Sequence, residues 1–177
     1  MSFRSGLKLV LVAAFAWSPL HALRVASLRA FGAVIERDVV MYHGYSVRHP
    51  RGLHLGADTS VGDRVTLDAR GGLRIGRSVN ISTDAQIWTA QHDWQAPGFD
   101  YVEAGVTIGD RVWIGPRVIV LPGTVIEDGV VLAAGAVARG HLSEWGLYGG
   151  VPARRIADRP RDVDYILGGP RRKPWFW

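Results

Sequence analysis

The 177-residue chain contains no cysteine. That excludes a disulfide framework, a thiolate metal site and a cysteine nucleophile, and it fits a reducing compartment. The apolar stretch LKLVLVAAFAW (7–17) falls short of the roughly 20 residues that a membrane-spanning helix needs. Nor is the chain short of core-forming residues. Hydrophobic residues make up 47% and charged ones 21%, a globular composition that excludes a disordered chain. The length suits one domain with a sizeable core, alone or with short terminal appendages; two domains would be cramped. The imbalance lies in the sign of the charge. A formal charge of +5 and a pI near 10.1 favour an anionic partner: nucleic acid, a phosphorylated cofactor or a membrane surface.

The N-terminal apolar stretch follows Arg4 and Lys8 and has the length of a signal-peptide core, a reading that stays open beside a helix. The next segment, SPLHALRVASLRAFGA (18–33), begins with Ser18-Pro19, a favourable helix start. It spaces Leu20, Leu23, Leu28 and Phe31 as one stripe, with Arg24 and Arg29 off it. Residues 1–33 are therefore read as an N-terminal segment of two short helices.

From residue 35 the period is six. One position per hexad gives Ile35, Met41 and Val47; Leu55, Val61 and Leu67; Ile75, Ile81 and Ile87; then Ile108, Ile114, Val120, Ile126 and Leu132. All are aliphatic. Glycine often follows, as at Gly56, Gly62, Gly76, Gly109 and Gly115, and the residue four on is small or branched, as at Thr59, Val65, Ala85 and Val112. A helix would repeat at about 3.6 and a strand at 2. Six suits a short strand plus a tight turn, three of which close a triangular coil that buries its aliphatic residues against the coils above and below. The glycine is expected at the corner, where positive φ or close backbone packing is required.

The register slips in an informative way. From Val47 to Leu55 and from Leu67 to Ile75 the step is eight, at RGLHLG (51–56) and GGLRIG (71–76). The equivalent GVTIGD (105–110) comes thirty-three residues later instead of twenty. A loop of about thirteen extra residues, WTAQHDWQAPGFDY and its flanks, thus leaves one corner of the prism. His92 and Asp93 stand at its root, where the coil can hold them precisely. A neutral histidine there is a candidate general base.

The hexads LGADTS-VGDRVT and IGDRVW-IGPRVI-VLPGTV-IEDGVV-LAAGAV, the stretch WTAQHD and the closing YGGVPAR resemble the hexapeptide-repeat O-acetyltransferases. The similarity is to the maltose and galactoside acetyltransferase group and to colanic-acid and exopolysaccharide acetyltransferases, and it covers residues 32–157. It implies an all-β solenoid, a left-handed parallel β-helix of about five coils, contrary to the usual right-handed crossover. The expected division is a helical segment 1–33, a β-helix 34–140 with an inserted loop 93–105, and a segment 141–177 that caps the helix and lines the donor site. It further implies acetyl-CoA as donor with no metal, a sugar or glycan acceptor, a cytoplasmic enzyme and a homotrimer. By position, His92 becomes the general base with Asp93 beside it. Trp113, Ala134, Arg139 and Arg154 become cofactor-binding, the arginines suited to phosphates. Asp68 and Trp94 fall to the acceptor.

Two other readings compete. His43, His49, His54 and His92 could hold zinc at an interface, as in hexapeptide-repeat carbonic anhydrases; or the prism is a noncatalytic scaffold that binds no coenzyme A. Scattered arginines without interleaved aromatics argue against nucleic acid. The C-terminal RRKPWFW, with Arg171, Arg172, Lys173, Trp175, Phe176 and Trp177, and the apolar N-terminal helices could make peripheral membrane contact or cap the prism, a solenoid requirement. Capping is favoured for the helices, and the tail stays undecided.

Overall fold

A computed structural model describes residues 3–168. Helices α1 (Phe3–Ala16) and α2 (His21–Ala30) precede a parallel β-solenoid with the left-handed coil of its fold. Strands of two to four residues stack into three faces. The first runs from Val34–Ile35 through Leu53–Leu55, Leu73–Ile75, Val106–Ile108 and Val125–Ile126 to His141–Leu142. The second runs from Val40–Met41 to Gly146–Gly149, and the third from Ser46–Arg48 to Val137–Ala138. Five coils are complete. A sixth, begun by Leu142 and Tyr148, continues the parallel pairing past residue 140.

The hexad register is the core. Ile35, Leu55, Ile75, Ile108 and Ile126 lie in one column, each paired in register with the next, and all are buried. The residue four positions on is fully enclosed wherever the pattern marked it, from Thr59 to Ala136. Thr59 is polar but satisfied: its hydroxyl donates to the Gly76 carbonyl at 2.9 Å and accepts from the Val79 N–H at 3.2 Å.

Of the two roles open to the glycine after the inward aliphatic, the structure selects close packing. A β-carbon on Gly56 would lie 2.5 Å from the Gly76 carbonyl oxygen, and one on Gly115 2.6 Å from that of Leu132. Positive φ belongs instead to the residue two further along, at Asp38, Asp58, Ser78 and Arg111 on the corner between the first and second faces.

The N-terminal helices cover the open end of the first coil. Val12, Ala16, Val25 and Leu28 are buried against it, and Gly44 N–H donates to the Ala16 carbonyl at 2.8 Å. The expected stripe is rotated. Leu20 and Leu23 face outward, whereas Arg24 is buried, its Nε–H donating to the Met41 carbonyl at 2.9 Å. The end of the prism offers unpaired carbonyls, and a long side chain with several donors satisfies them better than leucine does. Its neighbour Tyr45, buried and donating to the Arg24 carbonyl at 3.0 Å, has its pKa pushed up to about 12 by burial.

At the other end Arg154–Asp158 folds back antiparallel on Gly146–Gly149. The chain then runs down the first corner as an extended strap. Arg159 donates to the carbonyls of Gly129 (3.1 Å) and Arg111 (2.7 Å), Arg111 donates to the Val163 carbonyl at 3.0 Å, and the Leu167 N–H reaches Asp58 at 3.0 Å.

Replacing Gly56 by alanine is expected to lower unfolding free energy by about 1–3 kcal/mol, since backbone must move to admit the methyl. Urea denaturation measures it; a loss under about 0.5 kcal/mol, the scale of a surface substitution, would contradict the close-approach account.

Candidate functional site

The protrusion at the third corner, between the third and first faces, is an ordered β-hairpin. Ala90–His92 pairs antiparallel with Tyr101–Glu103, so that His92 lies opposite Tyr101. Its root is held by Thr89, which is fully buried. The Thr89 carbonyl accepts from Ala104 N–H at 2.8 Å, its hydroxyl oxygen from Gly71 N–H at 2.9 Å, and its own N–H donates to Asp68 at 3.2 Å.

Asp68 is fully enclosed and binds Arg70 through both oxygens, at 2.8 Å to Nε and 3.0 Å to Nη2. Burial works to raise its pKa, yet the Arg70 guanidinium and the Thr89 and Arg70 N–H groups together hold it below the ordinary carboxylate value. The Arg70 guanidinium in turn lies 5.5 Å from the Tyr101 ring centroid. Expected on the acceptor side, Asp68 is spent on anchoring the hairpin.

His92 itself is exposed and doubly fixed. Its ring stacks on Phe99 with centroids 4.4 Å apart and planes 2° from parallel, and Tyr101 meets it edge-on at 5.9 Å. Nδ1 lies 2.7 Å from the Phe99 carbonyl oxygen. A carbonyl can only accept, so in the neutral ring Nδ1 carries the proton and Nε2 keeps a free lone pair. Phe99 reaches this position with φ of +49°, a left-handed conformation rare for an aromatic residue. Sequence reading missed Phe99, Thr89, Arg70 and Tyr101. Pro97-Gly98 marks a turn, but nothing in the local pattern announces that the next carbonyl would face a histidine seven residues back.

Asp93 supports the turn. Its carboxylate accepts from Gln95 N–H at 2.9 Å and its N–H donates to the Asp100 carbonyl at 2.8 Å, with no bond to the imidazole. Trp94 stands out into solvent at 79% exposure. Chemically, the hairpin presents a lone-pair nitrogen bordered by exposed aromatic rings: a proton acceptor for a ligand with both a hydroxyl and an apolar face.

The remaining candidates divide between two edges. Arg139 follows Val137–Ala138 on the hairpin's own corner, exposed and without a hydrogen-bond or ion-pair partner among the described residues. Trp113 points outward from the second face, 46% exposed, its Nε1–H donating to Ser82 Oγ at 3.1 Å. Ala134 lies on the corner between the second and third faces, where Gly135 N–H donates to the Pro116 carbonyl at 3.0 Å. Arg154 is close to that corner, paired with Gly149. One prism therefore does not bring Trp113, Ala134 and Arg154 to His92.

The histidines do not converge either. His54 contacts Glu36 at 2.9 Å and His43 contacts Asp63 at 2.8 Å, and no group of three potential metal ligands occurs among the described residues.

Residues 105–140 match the family described as bacterial transferase hexapeptide (six repeats). Over 101 residues the chain is 36% identical to WcaF of Escherichia coli (strain K12), a protein assigned as a colanic acid biosynthesis acetyltransferase; the match covers 56% of each sequence, so the chain spans about half the length of the curated relatives it matches. A hexapeptide-repeat acetyltransferase of Vibrio cholerae superimposes with a TM-score of 0.78 over 88% of both chains at 23% identity, and it has been solved with acetyl coenzyme A. A galactoside acetyltransferase in complex with coenzyme A gives 0.77 over 96% of this chain and 92% of its own, at 18% identity.

Replacing Asp68 by asparagine is expected to cost about 1–3 kcal/mol of stability at pH 7. Because the folded pKa is depressed, the carboxylate's contribution is complete above its unfolded value near 4 and fades as pH falls through the folded one. Urea midpoints of the two proteins should therefore converge as pH falls below about 4; a constant gap would contradict the assignment.

Proposed function

We propose, from the premise that this chain is a hexapeptide-repeat protein with a left-handed β-helix, that it is an acetyl-CoA-dependent O-acetyltransferase acting on a sugar hydroxyl in polysaccharide biosynthesis. The observation that carries the reading is the His92–Phe99 hydrogen bond, which leaves Nε2 as a proton acceptor on a rigid mount. The sequence similarity to a colanic acid acetyltransferase and the fold shared with acetyltransferases solved with coenzyme A support the same reaction class.

In the proposed reaction donor and acceptor are bound together. Nε2 of His92 takes the acceptor hydroxyl proton as that oxygen attacks the thioester carbonyl carbon. The tetrahedral intermediate collapses with cleavage of the C–S bond, and the imidazolium returns its proton to the departing sulfur. Such a base contributes roughly 10²–10⁴ in rate. Trp94 and the hairpin aromatics offer a face on which a sugar ring can lie, while Asp68 acts through Arg70 and Asp93 through the turn, both as positioning residues.

Donor binding is assigned to Trp113, Ala134, Arg139 and Arg154. Small residues let an extended pantetheine arm approach the backbone, and guanidinium groups bind phosphates bidentately. Because these residues occupy two edges, a complete site needs the second edge of one prism beside the hairpin edge of another. A closed ring of copies would supply that pairing at each interface, and the ring is taken here as the homotrimer that the resemblance implies. A cytoplasmic location belongs to the same reading, since that is where acetyl-CoA is available.

Calorimetric titration with acetyl-CoA should give one saturable site per chain. His92→Ala should then lower kcat by about 10²–10⁴ on a sugar acceptor while leaving donor affinity nearly unchanged. An unaltered kcat would remove the base; no donor binding by the folded protein would favour a noncatalytic scaffold.

A further inference from the structure

The basic and aromatic tail, Arg171 to Trp177, lies outside the described residues. Within them, positive charge gathers at the corner from which the hairpin leaves. In the first two coils that corner and the strands flanking it, residues 46–54 and 66–74, hold Arg48, Arg51, Arg70 and Arg74 against a single acid, Asp68. Asp68 is enclosed, and its two oxygens are taken by the Arg70 fork and the Thr89 N–H. It has nothing left for a second guanidinium.

Arg48 is the cation this leaves over. It pairs in register with Asp68 on the next coil, and Trp88 stands one coil further on, each following an inward aliphatic residue of the third face. The exposed Arg48 side chain passes the level of Asp68 and sets its guanidinium over the Trp88 ring, 5.1 Å from the centroid. The indole is itself pinned, half-buried, with Nε1–H donating to Gln86 Oε1 at 3.1 Å. Arg48 makes no hydrogen bond or ion pair among the described residues. Its five N–H donors are unengaged by protein while the ring holds the group in place. Stacking removes in advance much of the rotamer freedom that binding would otherwise remove, so the planar fork is ready for an anion that accepts two parallel bonds.

Position gives that fork a use. Trp88 lies at the root of the hairpin, four residues before His92, at most about 14 Å of chain. The other arginine at this root, Arg70, leans on the Tyr101 ring that meets His92 edge-on, but Asp68 already closes its fork. One acceptor molecule lying along the hairpin can therefore reach both the free nitrogen of His92 and the free donors of Arg48. The donor is served elsewhere: Arg139 stands on the same face four strand spacings away, about 19 Å.

We propose, resting on the transferase reading, that Arg48 held on Trp88 is a specificity-determining residue that binds a carboxylate or phosphate carried by the acceptor. The enzyme then acetylates anionic glycosides in preference to neutral ones. Carboxylate and phosphate share the geometry a guanidinium fork recognises, and an acceptor supplies the one as an acidic sugar and the other as a sugar phosphate.

The test titrates the full chain, isotope-labelled at its indoles, and follows the Trp88 Nε1–H resonance at about 0.1 M salt. The probes are methyl glucoside, methyl glucuronide and glucose 1-phosphate, with the galactose counterpart of each. One anion should bind saturably and at least tenfold more tightly than its neutral counterpart; the glucuronide would assign a carboxylate and the sugar phosphate a phosphate. Arg48→Gln should lose about 10–100-fold in affinity for that anion, and Arg48→Lys, which keeps the charge but not the fork, should recover part of it. The neutral glycoside should bind the parent and Arg48→Gln alike, a readout that a merely structural role for Arg48 would not leave untouched. No shift with any anion, equal binding of the neutral probes, or an Arg48→Gln loss confined to acetyl-CoA would each overturn the proposal, the last in favour of a donor contact. Acetyl-CoA binding without discrimination among the sugars sinks this inference alone, whereas anion binding through Arg48 without acetyl-CoA binding sinks the transferase reading.

Discussion

Everything in this protein rests on how closely one coil can sit on the next. Parallel strands of two or three residues hold few hydrogen bonds, and they become stable only by stacking in register with an aliphatic column inside. At the corners the backbones approach so tightly that a β-carbon at Gly56, Gly76 or Gly115 would meet the neighbouring coil below 3.0 Å. That approach fixes the spacing of the ladder and also the position of anything that leaves it. The hairpin at the third corner inherits its precision from this source: Thr89 and Asp68, both fully enclosed, tie it to the preceding coil before it projects.

The site is built by separating support from reactivity. Buried polar groups at the root are all engaged, whereas the groups left over, the imidazole Nε2 and the faces of Trp94 and Phe99, look outward. The left-handed Phe99 is the sort of local strain that persists only when its surroundings determine it. Here they do so through the carbonyl that the His92 ring binds. The two-edge distribution of the other candidates has the same logic at the next level. Within one prism the candidates stay on separate edges.

The repeat was legible in the sequence because its constraint recurs: Ile35 to Leu132 announces both the period and the inward face, and the two-residue slips at 51–56 and 71–76 locate the corner from which the hairpin leaves. The existence of two helices was also legible. Which side of the second one is buried was not, because Leu20 and Arg24 are exchanged by a demand for donors at the prism end that no helical periodicity encodes. The Phe99 contact was hidden for a similar reason, since it depends on a turn conformation. The strap left no pattern: its bonds run from Arg159 and Arg111 to backbone carbonyls and from the Leu167 N–H to the Asp58 carboxylate, and such contacts impose no periodicity on the strand-forming residues.

That strap changes the kind of object the solenoid is. Coils that touch only their neighbours can peel from either end, one at a time, and each loss leaves the rest intact. Here the segment after the last coil is bonded to coils five, four and two on its way to the first. Peeling the C-terminal coil drags on a bond made in the second coil, and loosening the second coil frees the anchor of the strap. An array that would otherwise fray from either end is thereby joined to itself, and its two termini share one fate.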